Sequence, residues 1–405
     1  MNRQGMNFKK ALLFGLAACF LYGMGAGLRA DIGILLQPIM KQTGLAYSQV
    51  SFSIALLQLV FGSSQPFFGI LAAKRSNRFV LLTGVGLIIC GLTGITFASS
   101  LPALIAFLSI VFGLGAGAVS FGLVFTSAAC FVGPKYAMMI SGMLNASAGM
   151  VGFVLSPLLN QLLAVGGLQL VVAAVAAAAA LTLPVVFLVT SRDPGRGNEK
   201  EADLPESGAI FKEAFHSRTY RLLLAGFSTC GFHMVIIESH LFSQFKSYGI
   251  SAAAASWAFS TYGIATIAGA LLSGWLSGRL PKGRLLAFYY AFRAAWAAGY
   301  VFLLPKNFIT AAVFAIGLGL TGDATVSPTS GLVNEEFSLG KVATLVGLLF
   351  LGHQIGAFAS AWIGGILVDA TGGYQLLWLI DSLLCLAAAL ASFRINEEDK
   401  KEIAE

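Results

Sequence analysis

Long apolar runs recur along this chain, separated by short gaps that hold its charges and turn-forming residues. Each run matches the roughly 20 residues a helix needs to cross a bilayer core. Cutting at the gaps predicts twelve spans: 11–36, 48–73, 79–98, 102–130, 137–162, 167–190, 219–245, 252–277, 284–304, 308–333, 342–367 and 374–394. The first follows Lys9 and Lys10, as a signal peptide would. It has no small-residue cleavage site and eleven runs follow it, so it is expected to remain as a span. The pattern predicts an all-α membrane protein.

The longest polar stretch, 191–218, holds Arg192, Asp193, Glu199, Lys200, Glu201, Asp203 and Glu206 with Pro194 and Pro205. It divides the spans six and six. The expected organisation is an N-terminal six-helix bundle (1–190), a solvated cytoplasmic linker (191–218) and a C-terminal six-helix bundle with a short cytoplasmic tail (219–405). The halves also match each other in order. Gly44 matches Gly249, and Gly69-Ile70-Leu71-Ala72-Ala73-Lys74 matches Gly274-Trp275-Leu276-Ser277-Gly278-Arg279, both at an offset of 205. Gly113-Leu114-Gly115 matches Gly317-Leu318-Gly319 at 204. A parallel six-helix repeat follows.

Composition sharpens the class. Hydrophobic residues make up 57% and charged residues 11%, against about 25% charge in a soluble domain. The net charge of +7 would suggest nucleic acid in a soluble protein. Here the charges sit in the gaps and encode orientation instead. With both termini inside, 20 of the 25 Lys and Arg residues face the cytoplasm. Only Lys41, Lys246 and Lys306 fall in outer loops, while Arg29 and Arg293 lie within spans. Both termini are therefore expected in the cytoplasm of a bacterial cell. The five cysteines all lie in apolar runs, without metal-ligand spacing, and read as small apolar fillers.

Two six-span halves, a central loop and a G-x-L-x-x-[KR] signature after spans 2 and 8 resemble the major facilitator superfamily. A narrower resemblance lies in Gly27-Leu28-Arg29, Gly231-Phe232-His233, His240 and Thr329-Ser330-Gly331-Leu332-Val333. His353-Gln354-Ile355-Gly356 and Asp369-Ala370-Thr371-Gly372-Gly373-Tyr374 extend it. Together they are similar to a bacterial branch related to monocarboxylate transporters. The superfamily's loop signature usually has Asp where this chain has Ala73 and Gly278. The resemblance implies two bundles around a central cavity, with spans 1 and 7 facing each other and span 12 peripheral.

The sequence has no G-x-x-x-x-G-K-[ST], no H-E-x-x-H and no Cys/His cluster with zinc spacing. No enzyme activity, cofactor or metal is expected. Gly113, Gly115, Gly117 and Gly122 fail G-x-G-x-x-G spacing and read as helix-packing residues. Transport must then draw on an ion gradient or on exchange.

Ionisable residues inside spans mark function, because each costs about 2.5–3.5 kcal/mol at a helix centre. They are Arg29, Asp31, His233, Glu238, His240, Arg293, Asp323, His353 and Asp381. Arg29 suits a carboxylate, since its planar fork binds one bidentately. Its bland alternative is a salt bridge to Glu238 or Asp31. His233 near mid-span suits a substrate hydrogen bond or a proton relay. Tyr22 is a candidate cavity wall. Asp323 reads either as a proton site or as the buried partner of Arg293, with both about 14–15 Å from the same boundary. Glu238, Asp31 and His240 are expected to gate the outer mouth, and Asp381 to be structural.

The reading is a monomeric secondary transporter in the lipid bilayer, working by alternating access, with protons and a small organic anion such as a monocarboxylate as partners. Its rival is an exporter of amphipathic molecules on the same fold. A sensor that keeps the transporter body would need an added soluble module, and neither linker nor tail is long enough for one.

Overall fold

The computed structural model describes residues 7–192 and 207–395. Residues 193–206 of the expected linker lie outside the described residues. Among the described residues every regular element is a helix. The chain forms two compact units, Met1–Asn198 and Glu199–Glu405. The first holds α1 (Phe8–Ala30), α2 (Gly33–Thr43), α3 (Tyr47–Lys74), α4 (Asn77–Ile95), α5 (Leu101–Val132), α6 (Pro134–Ala180) and α7 (Thr182–Val189). The second holds α8 (Ser207–His216), α9 (Arg218–Ser247), α10 (Ala252–Ser277), α11 (Lys282–Ala298), α12 (Phe308–Gly322), α13 (Val326–Glu336), α14 (Leu339–Thr371) and α15 (Gln375–Phe393).

Ten helical runs among the described residues are long and apolar enough to cross a membrane. One of them, Lys135–Val189, contains two spans, because Gly166 and Gly167 leave helical geometry (Gly167 φ 63°). The more polar α11, extended by a π turn at Gly299–Leu303, is the remaining span. The architecture is thus twelve spanning helices in two repeats. The surface agrees with a lipid solvent: Leu13, Phe97 and Leu303 are each more than half exposed, as apolar side chains facing hydrocarbon should be.

Local sequence sets the helix starts. Asn7, Ser76, Ser217, Ser251 and Asn307 each accept a backbone N–H three residues on, at 2.9–3.3 Å. Such caps satisfy donors that the first turn leaves open. Gly44 and Gly249, matched at an offset of 205, both adopt the left-handed region at φ 71° and 81°. That conformation penalises any residue with a Cβ, so the repeat is backbone-deep.

Packing repeats too. In the first unit α1 packs on α6, α3 on α5, and α4 on α6 and α7; in the second α9 packs on α14, α10 on α12 and α11 on α15. The first span of each unit thus meets the fifth, the second meets the fourth, and the third meets the sixth. Glycines set the closest approaches. A Cβ on Gly27 would fall 2.1 Å from Cγ1 of Val151 in α6, and one on Gly231 would fall 1.9 Å from the carbonyl oxygen of His353 in α14. Gly115 and Gly117 likewise sit against Ile88 and Ser64, whereas Gly122 faces open space. The packing reading of that glycine row therefore holds for Gly115 and Gly117 and fails for Gly122.

Three expectations change. The first span is broken, not continuous: α1 ends at Ala30, Asp31 N–H donates to Gly27 O at 3.1 Å, and Ile32 N–H donates to Arg29 O at 3.4 Å. The tenth span is interrupted by a 3-10 turn, Asp323–Thr325. Residues 207–216, placed in the linker, form α8. It packs on α9 and α14, with Lys341 Nζ donating to Glu213 Oε2 at 2.5 Å.

Candidate functional site

Each unit carries its own buried polar group of side chains. In the first, α1 brings Arg29 against α3. Its Nη1 donates to Gln58 Oε1, and its guanidinium carbon stands 4.8 Å from the centre of the Phe61 ring. Gln58 is fully buried. An amide oxygen and an aromatic face orient the guanidinium. Tyr22, two turns earlier on α1, meets Phe121 edge-on at 6.0 Å. Asp31 is buried beside α6, where its Oδ1 lies 3.4 Å from the position of a Cβ on Gly152. Arg29 thus addresses α3, and Asp31 stands beside α6.

In the second unit α9 runs through a π segment at Ile237–Leu241, a register change frequent at functional sites. It carries the buried Glu238 and His240. His240 packs into α14: its Nε2 is 3.1 Å from Ala361 O and crowds Gly364. His240 therefore holds two helices of one unit together.

One turn before the π segment, His233 Nδ1 lies 2.8 Å from Asp381 Oδ2 on α15, and both side chains are fully buried. Cys385 Sγ is 3.8 Å from Asp381 Oδ1, and the Trp378 ring stands edge-on to the imidazole at 6.0 Å. Trp378 Nε1 in turn donates to Gln244 Oε1 at 2.7 Å. Sequence reasoning set Asp381 aside because the twelfth span is peripheral. The structure makes it the partner of a fully buried histidine in α9. The ligand atoms of His233, Asp381 and Cys385 lie within 4.8 Å of one another, a nitrogen–oxygen–sulfur set of the kind zinc accepts. At 2.8 Å, however, the imidazole and the carboxylate engage each other.

Arg293 on α11 is fully buried, and two of its hydrogen bonds go to peptide oxygens. Nη2 donates to Thr321 O and, at 2.8 Å, to Gly322 O. These carbonyls end α12, just before Asp323. A helix C-terminus presents open carbonyls and partial negative charge, so a cation is well placed there. The sequence had offered the Asp323 carboxylate either as a partner of Arg293 or as a proton site. The interruption is braced from two further helices, by Cys230 Sγ 3.2 Å from Thr325 Oγ1 and by Ser273 Oγ donating to Ala324 O. Replacing Arg293 with methionine should therefore strip two buried carbonyls of their donor. Each such loss costs about 1–3 kcal/mol, offset in part because no cation is then buried. A clearly lower melting temperature in detergent is expected, with partial recovery in Arg293→Lys. A methionine variant as stable as wild type would remove the capping role.

Gln58 and Phe61 are site residues that the sequence reading did not name, and Asp381 and Cys385 had been read as structural and as a small apolar filler. One signal for them was present: Gly27-Leu28-Arg29 and Gly231-Phe232-His233 stand at an offset of 204. The structure gives that offset meaning, because Gly27 and Gly231 each contact the fifth span of their own unit. Arg29 and His233 are thus equivalent positions of the repeat.

Comparisons with known proteins extend over the whole chain. The family model for the Major Facilitator Superfamily matches residues 13–246 and 242–405. An uncharacterised MFS-type transporter of Bacillus subtilis, YcxA, is 23% identical over 385 residues, covering 90% of each chain. Monocarboxylate transporter 13 of Rattus norvegicus is 24% identical over 385 residues, 92% of this chain and 86% of that protein. Among solved structures, a D-xylose-proton symporter superposes with a TM-score of 0.74 at 12% identity, covering 97% of this chain and 99% of that one. The nucleoside transporter NupG gives 0.74 at 15% identity, covering 94% and 98%.

Proposed function

The chain belongs to the Major Facilitator Superfamily, and on that premise we propose that it is a proton-coupled carrier of small organic anions of the monocarboxylate class. It is a multi-span membrane transporter and not an enzyme. Arg29 carries the anion reading. A guanidinium in the first span, oriented by Gln58 and Phe61, presents fixed donors that match a planar carboxylate. Its partial burial strengthens that attraction. The similarity to proteins named monocarboxylate transporters supports the same substrate class. Titratable groups inside the spans, above all His233 and Asp381, support protons as the coupling ion.

The test is uptake of labelled acetate, pyruvate, lactate and benzoate into proteoliposomes, with and without an inward proton gradient. Accumulation of at least one, enhanced by the gradient, is expected. Uptake of none, together with efflux of hydrophobic cations, would favour an exporter of amphipathic molecules.

Both termini and the 191–218 segment are proposed to face the cytoplasm, on the distribution of Lys and Arg. In a background without the five native cysteines, a cysteine at Ser207 should resist an impermeant thiol reagent in intact cells and react once the membrane is opened. Labelling of intact cells would reverse the orientation.

A further inference from the structure

We infer that His233 and Asp381 form the site that takes up and releases the coupled proton, at the imidazole Nε2. This rests on the proton-coupled reading above and deepens it. Three observations converge on the pair.

The first is geometry. Nδ1 faces the Asp381 carboxylate at 2.8 Å, so it carries the hydrogen and donates it. The second oxygen of the carboxylate lies toward the Cys385 thiol. The remaining nitrogen, Nε2, is buried and has no hydrogen-bond partner among the described residues. A buried polar atom left this way calls for an explanation, and a basic nitrogen that exchanges a proton supplies one.

The second is charge. Proton uptake forms one N–H bond at Nε2 and takes the pair from net −1 to net zero, because the imidazolium then faces the carboxylate. Release breaks the same bond and restores the anionic pair. No electrons move. In the anionic state the nearest described cation is the fully buried Arg293, which is within electrostatic reach of Cys385, the neighbour of Asp381. In a low-dielectric interior a lone carboxylate would be costly. Both protonation states are therefore tolerable, as a site that cycles between them requires.

The third is the repeat. His233 occupies in the second unit the position of Arg29 in the first, each two residues after a glycine packed on the fifth span. One unit holds a permanent cation at that place, and the other holds one that can be switched.

The surrounding titratable and charged groups are few. Cys230 and Glu238 lie on α9, Arg293 and Tyr290 on α11, Cys385 on α15, Tyr262 on α10, Asp323 at the interruption of α12 and His353 on α14. Glu213, His216 and Glu336, on α8 and α13, lie around the start of α9 near Ser217, roughly 24 Å from His233 along the helix, and Glu335 pairs with Lys282 at the start of α11.

The experiment compares wild type, His233→Gln and Asp381→Asn in proteoliposomes, using the labelled acid of the four above that wild type accumulates best. Two readings are taken: accumulation driven by an inward proton gradient, and exchange with the same acid on both sides. The expected result is loss of gradient-driven accumulation in both variants with exchange retained. Variants that accumulate like wild type would overturn the site and leave the coupled reading intact. Wild-type uptake indifferent to the gradient would instead sink the coupled reading, and the site with it. A readout that needs neither variant transport nor variant folding is heteronuclear NMR of the imidazole nitrogens in wild-type protein. His233 Nε2 should gain and lose its proton as the pH is varied, while Nδ1 keeps its own. A nitrogen that does not titrate, or a stoichiometric metal ion removable by chelation, would overturn the assignment.

Discussion

Arg29→Lys is expected to abolish most transport although it keeps the positive charge. The guanidinium offers a fork fixed by Gln58 and stacked by Phe61. An ammonium is a point donor on a flexible stem and reproduces neither contact. A hydrogen bond to a charged group is worth about 1.5–3 kcal/mol, which predicts a fall of roughly 10- to 100-fold in apparent affinity for the acid. Gln58→Ala should give a smaller loss, because it frees the guanidinium without removing it. Initial uptake rates across substrate concentrations measure both effects, and elution as a single species in detergent verifies the fold. Near-normal affinity in the lysine variant would reduce Arg29 to a general charge and remove the main support for a carboxylate substrate.

Gly231→Ala should be among the most destabilising single-methyl additions in the chain. The new Cβ would lie 1.9 Å from the His353 oxygen, 2.6 Å from its carbonyl carbon and 2.9 Å from its Cα. These are backbone atoms of α14, so no side chain can rotate away and the two helices must separate. Inserting a methyl group into tight packing costs about 1–3 kcal/mol and occasionally more, and backbone contact places this site at or above the top of that range. The equivalent Gly27→Ala meets only the Val151 side chain. Val151→Ala should therefore rescue Gly27→Ala, whereas no side-chain change in α14 should rescue Gly231→Ala. Gly122→Ala, which faces open space, serves as the control. Thermal unfolding in detergent measures all four. A Gly231→Ala protein as stable as the control would show that α9 and α14 are not in backbone contact.

His233, Asp381 and their setting show where sequence reasoning stopped. All nine ionisable residues within spans were visible, because a charge in an apolar run stands out by itself. What could not be read was which of them meet. Asp381 lies 148 positions from His233, and a peripheral twelfth span gave no reason to join them. Arg293 shows the same limit in another form, since peptide oxygens that end a helix leave no mark in the residue types. The breaks at Asp31 and Asp323 were likewise hidden, because each lies inside an apolar run long enough to span as one helix.

The sequence by itself determined the twelve spans, the six-and-six division, the repeat and the superfamily. These rest on the bilayer's thickness and on the cost of charge within it, and both act on residues locally along the chain. Only the tertiary structure decided that Arg29 is oriented by Gln58 and Phe61, that Arg293 caps α12 and that His233 meets Asp381. Those contacts depend on which helix faces bury together. In this protein that choice is set by glycines such as Gly27 and Gly231, whose missing side chains let neighbouring helices approach closely.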